Sequence, residues 1–224
     1  MVKDALWYLQ NIDFFKDIDS DALEKIKKKT SMKNYKKNSF VYFPDDTPNH
    51  VFFVKMGRIK IGTYAPDGRE VIKTILENGE VFGEQFLLDN TKMKNYAQAM
   101  QSSCLLVIER EEFQKIMEQN SFVALRMAKI FGRRLQKLEK KFENLIFKDA
   151  RSRIIDFIKE MANENGKVVG YETLIMHSMT HLDIARITAT SRQTVTTVLN
   201  ELREDNQIYF DRKRILVRDL TSLS

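Results

Sequence analysis

Residues 180–204, THLDIARITATSRQTVTTVLNELRE, gather side chains that share one chemistry. Arg192, Gln193, Thr196, Thr197 and Asn200 are hydrogen-bonding types with little bulk near the backbone, and base edges in a DNA major groove are read by such groups. A guanidinium offers paired donors to guanine, which assigns Arg192 to that base, while a carboxamide suits adenine or a neighbouring pair, the place of Gln193. Thr196 and Thr197 add smaller contacts. Thr180, Ser191 and Thr194 fit phosphate oxygens, as does His181 beside them, and such contacts fix register without reading sequence. The same stretch also reads as a helical hairpin that merely caps a core.

The elements that must carry these side chains are legible from caps and periodicity. Thr180 with Asp183 three positions on is a capping signal, and Ile184, Ala185, Ile187 and Thr188 continue at helical spacing for about two turns. The helix stops at Ala189 and Thr190. Ser191 then offers a second N-cap, and Val195, Val198, Leu199 and Leu202 form the apolar stripe of a second helix. Two short helices joined by about three residues make a helix-turn-helix, whose second helix enters the major groove. Ile208 to Val217, IYFDRKRILV, alternates apolar and basic residues about a turn at Asp211 to Lys213. That pattern predicts a hairpin wing whose Arg212 and Lys213 sit on phosphates.

TSRQTV within a helix pair, followed by a basic wing, resembles the C-terminal domain of the cyclic-AMP receptor protein / fumarate-nitrate regulator (Crp/Fnr) family of bacterial transcription factors. Two features depart from it: family members commonly carry Glu and Arg where Gln193 and Thr197 stand, so the operator should differ. Ala189 also stands where helix-turn-helix domains often have Gly, so the turn must accommodate a Cβ.

Upstream, from about Ser31 to Glu109, the pattern shifts to short runs rich in Val, Ile, Phe and Tyr: Phe40 to Phe43, Val51 to Val54, Ile59 to Thr63, Val71 to Leu76 and Cys104 to Ile108. Turn signals separate them, Asp67-Gly68 being the clearest hairpin signal, and the spacing predicts an antiparallel barrel or sandwich. Asn78 to Leu88, NGEVFGEQFLL, interrupts the strands, and Gly83 ahead of a short helix from Glu84 could aim backbone amides at an anion or merely turn the chain. The stretch resembles the phosphate-binding cassette of cyclic-nucleotide domains, a Gly-Glu pair followed about ten residues later by Arg and a small hydroxyl residue. Here these become Gly83-Glu84 and Lys94-Asn95. The resemblance implies that Glu84 accepts from a ribose hydroxyl and Lys94 pairs with the phosphate, although lysine lacks the two-pronged fork of arginine. A cyclic nucleotide, another small effector and a degenerate pocket all remain open.

Ala124, Ala128, Phe131, Leu135, Leu138, Phe142 and Leu145 recur at spacings of 4, 3, 4, 3, 4 and 3, a heptad seam interrupted only by Gly132. The seam predicts a parallel homodimer along one long helix, and two recognition helices on neighbouring turns then require an inverted-repeat operator in double-stranded DNA. Asp149 to Met161 follows as a supporting helix, with Gly166 at its C-cap and a strand pair near Lys167 to Ile175.

Composition narrows the alternatives. The 224 residues are 43% hydrophobic and 30% charged, enough for two modest domains with real cores. The formal net charge is +6, yet residues 148–224 hold 12 Lys+Arg against 11 Asp+Glu, so charge alone does not locate a DNA site. No apolar run is long enough to span a bilayer and MVKDALWYLQ lacks a signal-peptide pattern, so the expected location is the cytoplasm, with no membrane partner. One cysteine, Cys104, cannot build a four-thiolate iron-sulfur cluster, and a buried thiol is its simpler reading. His177 and His181 are four apart but straddle the cap at Thr180, which argues against a metal pair. No nucleophile accompanies the acids Glu80 and Glu84, so an enzyme is not expected. The expected fold is α+β: a cyclic-nucleotide-binding-like β-barrel over 1–118, a dimerisation helix over 119–147 and a winged helix-turn-helix over 148–224. The expected function is a dimeric transcription regulator with RNA polymerase as a further partner. A regulatory module acting on a protein partner is the competing reading.

Overall fold

The computed structural model describes residues 12–16, 18–47, 49–87, 92–177, 179–211 and 213–223. Helix α1 (Ser20–Lys28) opens with Asp19 as N-cap, whose carboxylate accepts from the Ala22 N–H, and buries Leu23 and Ile26. Among the described residues eight strands follow: β1 (Thr30–Tyr35), β2 (Phe40–Tyr42), β3 (His50–Met56), β4 (Ile59–Tyr64), β5 (Glu70–Leu76), β6 (Val81–Phe82), β7 (Tyr96–Ala99) and β8 (Ser103–Glu109). They form two four-stranded sheets, ordered β1-β8-β3-β6 and β2-β7-β4-β5. The sheets enclose a common core without closing into one hydrogen-bonded ring, so the expected barrel is barrel-like rather than closed.

Strands β3 and β8 explain the two most continuous apolar runs. Phe52 and Val54 of β3, with Leu105 and Val107 of β8, face the core between the sheets. Val51 and Phe53, with Leu106 and Ile108, face the opposite way, into a core with Phe14, Phe15, Leu23, Ile26 and Phe113. A strand buried on both faces loses its polar alternation and reads as an unbroken hydrophobic run. Strand β1, TSMKNY, is polar and mostly exposed and was not among the expected runs; nor were β6 and β7. Strand β6 is two residues long inside a glycine-punctuated segment, and β7, YAQA, buries small alanines that carry little strand signal.

Helix α2 (Arg110–Gln119) leads into α3 (Ser121–Phe147), 27 residues in one helix. The chain divides into two compact units inside α3, between Leu135 and Gln136, residues 70–72 excepted. The second unit contains α4 (Ala150–Asn165), β9 (Lys167–Val169), β10 (Glu172–Met176), α5 (His181–Thr188), α6 (Arg192–Glu204), β11 (Ile208–Phe210) and β12 (Arg214–Val217). Its strands form one antiparallel sheet ordered β11-β12-β10-β9. Its core unites Ile154, Ile155 and Ile158 of α4 with the apolar faces of α5 and α6 and with Ile208, Ile215 and Val217. Gly166 does cap α4, but in extended backbone (φ −70°, ψ 143°) rather than the left-handed conformation usual for a C-cap glycine. Its need for glycine is steric: a Cβ there would lie 2.2 Å from the Ala162 carbonyl oxygen and 2.5 Å from Thr173 Cγ2.

Candidate nucleic-acid interface

Both caps of the helix pair form as their residue types require. Thr180 Oγ1 accepts from the Asp183 N–H at 3.1 Å, and Asp183 accepts from the Thr180 N–H at 2.8 Å, a reciprocal capping box. Ser191 Oγ accepts from the Thr194 N–H at 3.0 Å and starts α6. Between the helices Ala189 adopts φ 53°, ψ 50°, the left-handed region that costs a residue with a Cβ about 1–2 kcal/mol. The N–H groups of Ala189 and Thr190 both donate to the Ala185 carbonyl there.

Arg153, on α4, secures this turn. Its guanidinium donates to the carbonyls of Thr188 (3.0 Å), Ala189 (3.1 Å) and Lys148 (2.7 Å). A cation at a helix C-terminus satisfies orphan carbonyls and opposes the helix dipole. Nothing local in the sequence points to this residue, because its main partners lie thirty-five and thirty-six positions ahead.

Helix α6 is split cleanly between its faces. Val195, Val198, Leu199 and Leu202 are at most 4% exposed. Ser191, Arg192, Gln193 and Thr197 are exposed, while Thr194, Thr196 and Asn200 are half-buried. Thr180 is exposed, but its hydroxyl also donates to Asp183, so the side chain is spent inside the cap. The His181 Nδ1 lies 2.9 Å from Thr196 Oγ1, and the ring packs 5.8 Å from Phe210 on β11. Burial first, and Arg192 second, hold the His181 imidazole below its ordinary range.

The wing forms as expected, β11 pairing antiparallel with β12 from Ile208 opposite Val217. Asp211 organises its turn, accepting from the Lys213 N–H at 2.9 Å and from Arg214 Nε at 2.6 Å. The Arg214 charge is thereby countered, whereas Lys213 stands exposed at the tip. Arg212 lies outside the described residues.

The cassette in the first unit has a different character. Gly83, buried at φ 82°, turns the chain into a four-residue 3-10 helix, Glu84–Leu87. Glu84 is 7% exposed and ion-paired with Arg134 of α3, which also donates to the Val81 carbonyl. The second oxygen, Glu84 Oε2, is buried without a hydrogen-bond partner. Tyr42 is close by; burial and the Glu84 charge push its phenol up, with Arg134 opposing. Asn95 is buried and its Oδ1 accepts from Lys73 Nζ, while Lys94 is exposed and its carbonyl accepts from Thr63 Oγ1 at 2.9 Å. Burial, and then the charge of Lys94, lower the Lys73 ammonium from its ordinary value. Neither Arg134 nor Lys73 was singled out from the sequence, since each reaches its partner from a distant segment.

Helix α3 carries two stripes. Val123 and Met127 are buried in the first unit, with Ile130 packed against that core, and Arg134 continues this line toward Glu84. Leu135, Leu138, Phe142 and Leu145 of the heptad seam are 53–64% exposed. Among the described residues no helix is long and apolar enough to cross a membrane.

Known proteins match this arrangement along the whole chain. The family described as "Cyclic nucleotide-binding domain" matches residues 32–120, and "Crp-like helix-turn-helix domain" matches residues 152–224. The "CRP-like cAMP-activated global transcriptional regulator" of Mycobacterium tuberculosis is 22% identical over 216 residues, 96% of each chain. The "Global nitrogen regulator" of Nostoc sp. is 26% identical over 195 residues, 86% of this chain and 87% of that one. A solved CooA variant from Carboxydothermus hydrogenoformans superposes with a TM-score of 0.79 at 26% identity, covering 100% of this chain and 95% of the other. With a cyclic nucleotide-binding domain ahead of the long helix and a Crp-like helix-turn-helix behind it, the chain belongs to the Crp/Fnr family of transcription regulators.

Proposed function

We propose that two copies of the chain pair along the α3 seam and bind an inverted-repeat operator through α6, under the control of a small effector at the cassette. The observation that carries the reading is the division of α6: its apolar stripe is fully committed to the core, while Arg192, Gln193 and Thr197 face solvent. In this reading Arg192 takes guanine, Gln193 an adenine or neighbouring pair, and Thr196, Thr197 and Asn200 smaller contacts. His181, Ser191, Thr194, Arg212 and Lys213 lie along phosphates, whereas Thr180, expected among them, serves the cap of α5 instead. The exposed seam supports the dimer, because a single chain leaves Leu138 and Phe142 64% and 63% exposed. The cytoplasm is the matching location and RNA polymerase the partner through which an operator-bound regulator acts.

At the cassette, Gly83, Glu84, Lys94 and Asn95 form the effector site of this reading. Lys94 and neighbouring Lys73 favour an anion, and Glu84 Oε2 is an open acceptor for a hydroxyl. The partnership of Glu84 with Arg134 and the lysine at position 94 argue for an effector other than cyclic AMP. Selecting genomic fragments with the purified chain tests the DNA reading. Inverted repeats should be retained, with binding falling about 0.9 log units per neutralised phosphate for each log unit of salt. Indifference to every duplex at low salt would refute it. Calorimetric titration with cyclic AMP and cyclic GMP tests the effector: micromolar binding that disappears in Glu84→Ala would replace our reading with an ordinary cyclic-nucleotide site.

A further inference from the structure

The hydrogen bonds of Thr196 determine which of its groups can meet a base. Its Oγ1 lies 3.0 Å from the Arg192 carbonyl oxygen and 2.9 Å from His181 Nδ1. A hydroxyl has one proton, and a carbonyl can only accept, so that proton goes to Arg192. The His181 partner must then be the donor, which places the ring proton on Nδ1 whether the imidazole is neutral or charged. The Thr196 oxygen is turned back along α6 and across to α5, with its proton spent and one lone pair engaged. What remains on Cβ wholly unengaged is the methyl group, the oxygen keeping one lone pair. Around the ring stand Arg192 and Thr196 from α6 and Phe210 from β11, with Arg203 over the Phe210 ring, so no acceptor among these competes for the Nδ1 proton.

We infer that His181 is a positioning residue which withdraws the Thr196 hydroxyl from the groove, so that position 196 reads a base through its methyl and selects the C5-methyl of thymine. Apolar contact with that methyl is one of the ways a major groove distinguishes its base pairs. The inference rests on α6 being the reading helix, and it inverts the expected role of Thr196 as a hydrogen-bonding residue.

The test uses the full-length protein and its selected operator, with each thymine replaced in turn by uracil, which removes only the C5-methyl. One thymine per half-site should show about a fourfold loss of affinity on replacement, the effect of one buried methyl. Thr196→Val keeps the shape without the hydroxyl and should show the same thymine/uracil ratio. Thr196→Ser keeps the hydroxyl without the methyl and should bring the ratio to about one. His181→Ala should lower the ratio, and His181→Asn, whose amide can donate from the same place, should restore it. A merely structural role for His181 would weaken both operators alike and leave the ratio unmoved, which would overturn the assignment. So would a Val variant that loses the selected operator while the Ser variant keeps it, since the hydroxyl would then be the reader. If no duplex is retained at all, the reading of α6 itself fails; operator binding with no uracil-sensitive position sinks only the inference about Thr196.

Discussion

The cassette and the recognition helix are both polar clusters mounted on a hydrophobic support, yet their side chains are in opposite states. At the cassette, Glu84 is held by Arg134 and Asn95 by Lys73, in surroundings where the acid is 7% exposed. On α6, Arg192, Gln193 and Thr197 stand in solvent. Charges withdrawn from water must find partners within the fold, whereas charges left in water can await one from outside. The difference teaches that Glu84 and Asn95 are part of the stability of their unit, while Arg192, Gln193 and Thr197 are nearly free of it.

Substitutions sharpen that contrast, beginning with the largest effect. Arg134→Ala leaves the Glu84 carboxylate buried without its cation, and should destabilise the first unit by about 3 kcal/mol in urea unfolding, the lower end of the usual range because Arg134 is itself partly exposed. Arg192→Ala should leave the unfolding midpoint within error and weaken operator affinity by about 1–3 kcal/mol, relaxing one base position. A stability loss at Arg192 as large as at Arg134 would erase the distinction between the two clusters. Ala189→Gly relieves the left-handed strain at the turn and should raise the stability of the second unit by about 0.5–1 kcal/mol, visible as a higher melting temperature.

Acid is the smallest probe and touches both units. His50 is held low by burial and then by Lys33, with Glu109 opposing, and His181 by burial and then Arg192. The unfolded chain therefore takes up protons at these positions first as pH falls through about 6.5, and each histidine's contribution is intact above that value and lost below it, until the folded ring also protonates. Histidine resonances followed by NMR should titrate below the ordinary imidazole value; titration at or above it would contradict the burial.

The helix pair was legible because its signals are local. Thr180 with Asp183 and Ser191 with Thr194 are contacts three residues apart, and the stripe of α6 repeats within one helix. The strands β3 and β8 were visible as apolar runs, though not as strands serving two cores. Hidden from inspection were the guanidinium groups. Arg134 meets Glu84 across fifty residues, and Arg153 meets the Ala189 turn across thirty-six. In each case the arginine sits in a helix where basic residues are ordinarily solvated, and only the folded chain tells the committed ones apart.

Gly132 has consequences beyond its low helix propensity. It lies in α3 between Met127 and Ile130, anchored in the first unit, and the exposed seam from Leu135 onward, with no heavy atom within 4 Å of where its Cβ would stand. A 27-residue helix is a rod roughly 40 Å long. Gly132, the one glycine in this rod, is its most compliant residue. A bend there would redirect every residue after 132, Arg134 included, so the Arg134–Glu84 ion pair, within a turn of the glycine, holds the joint in place.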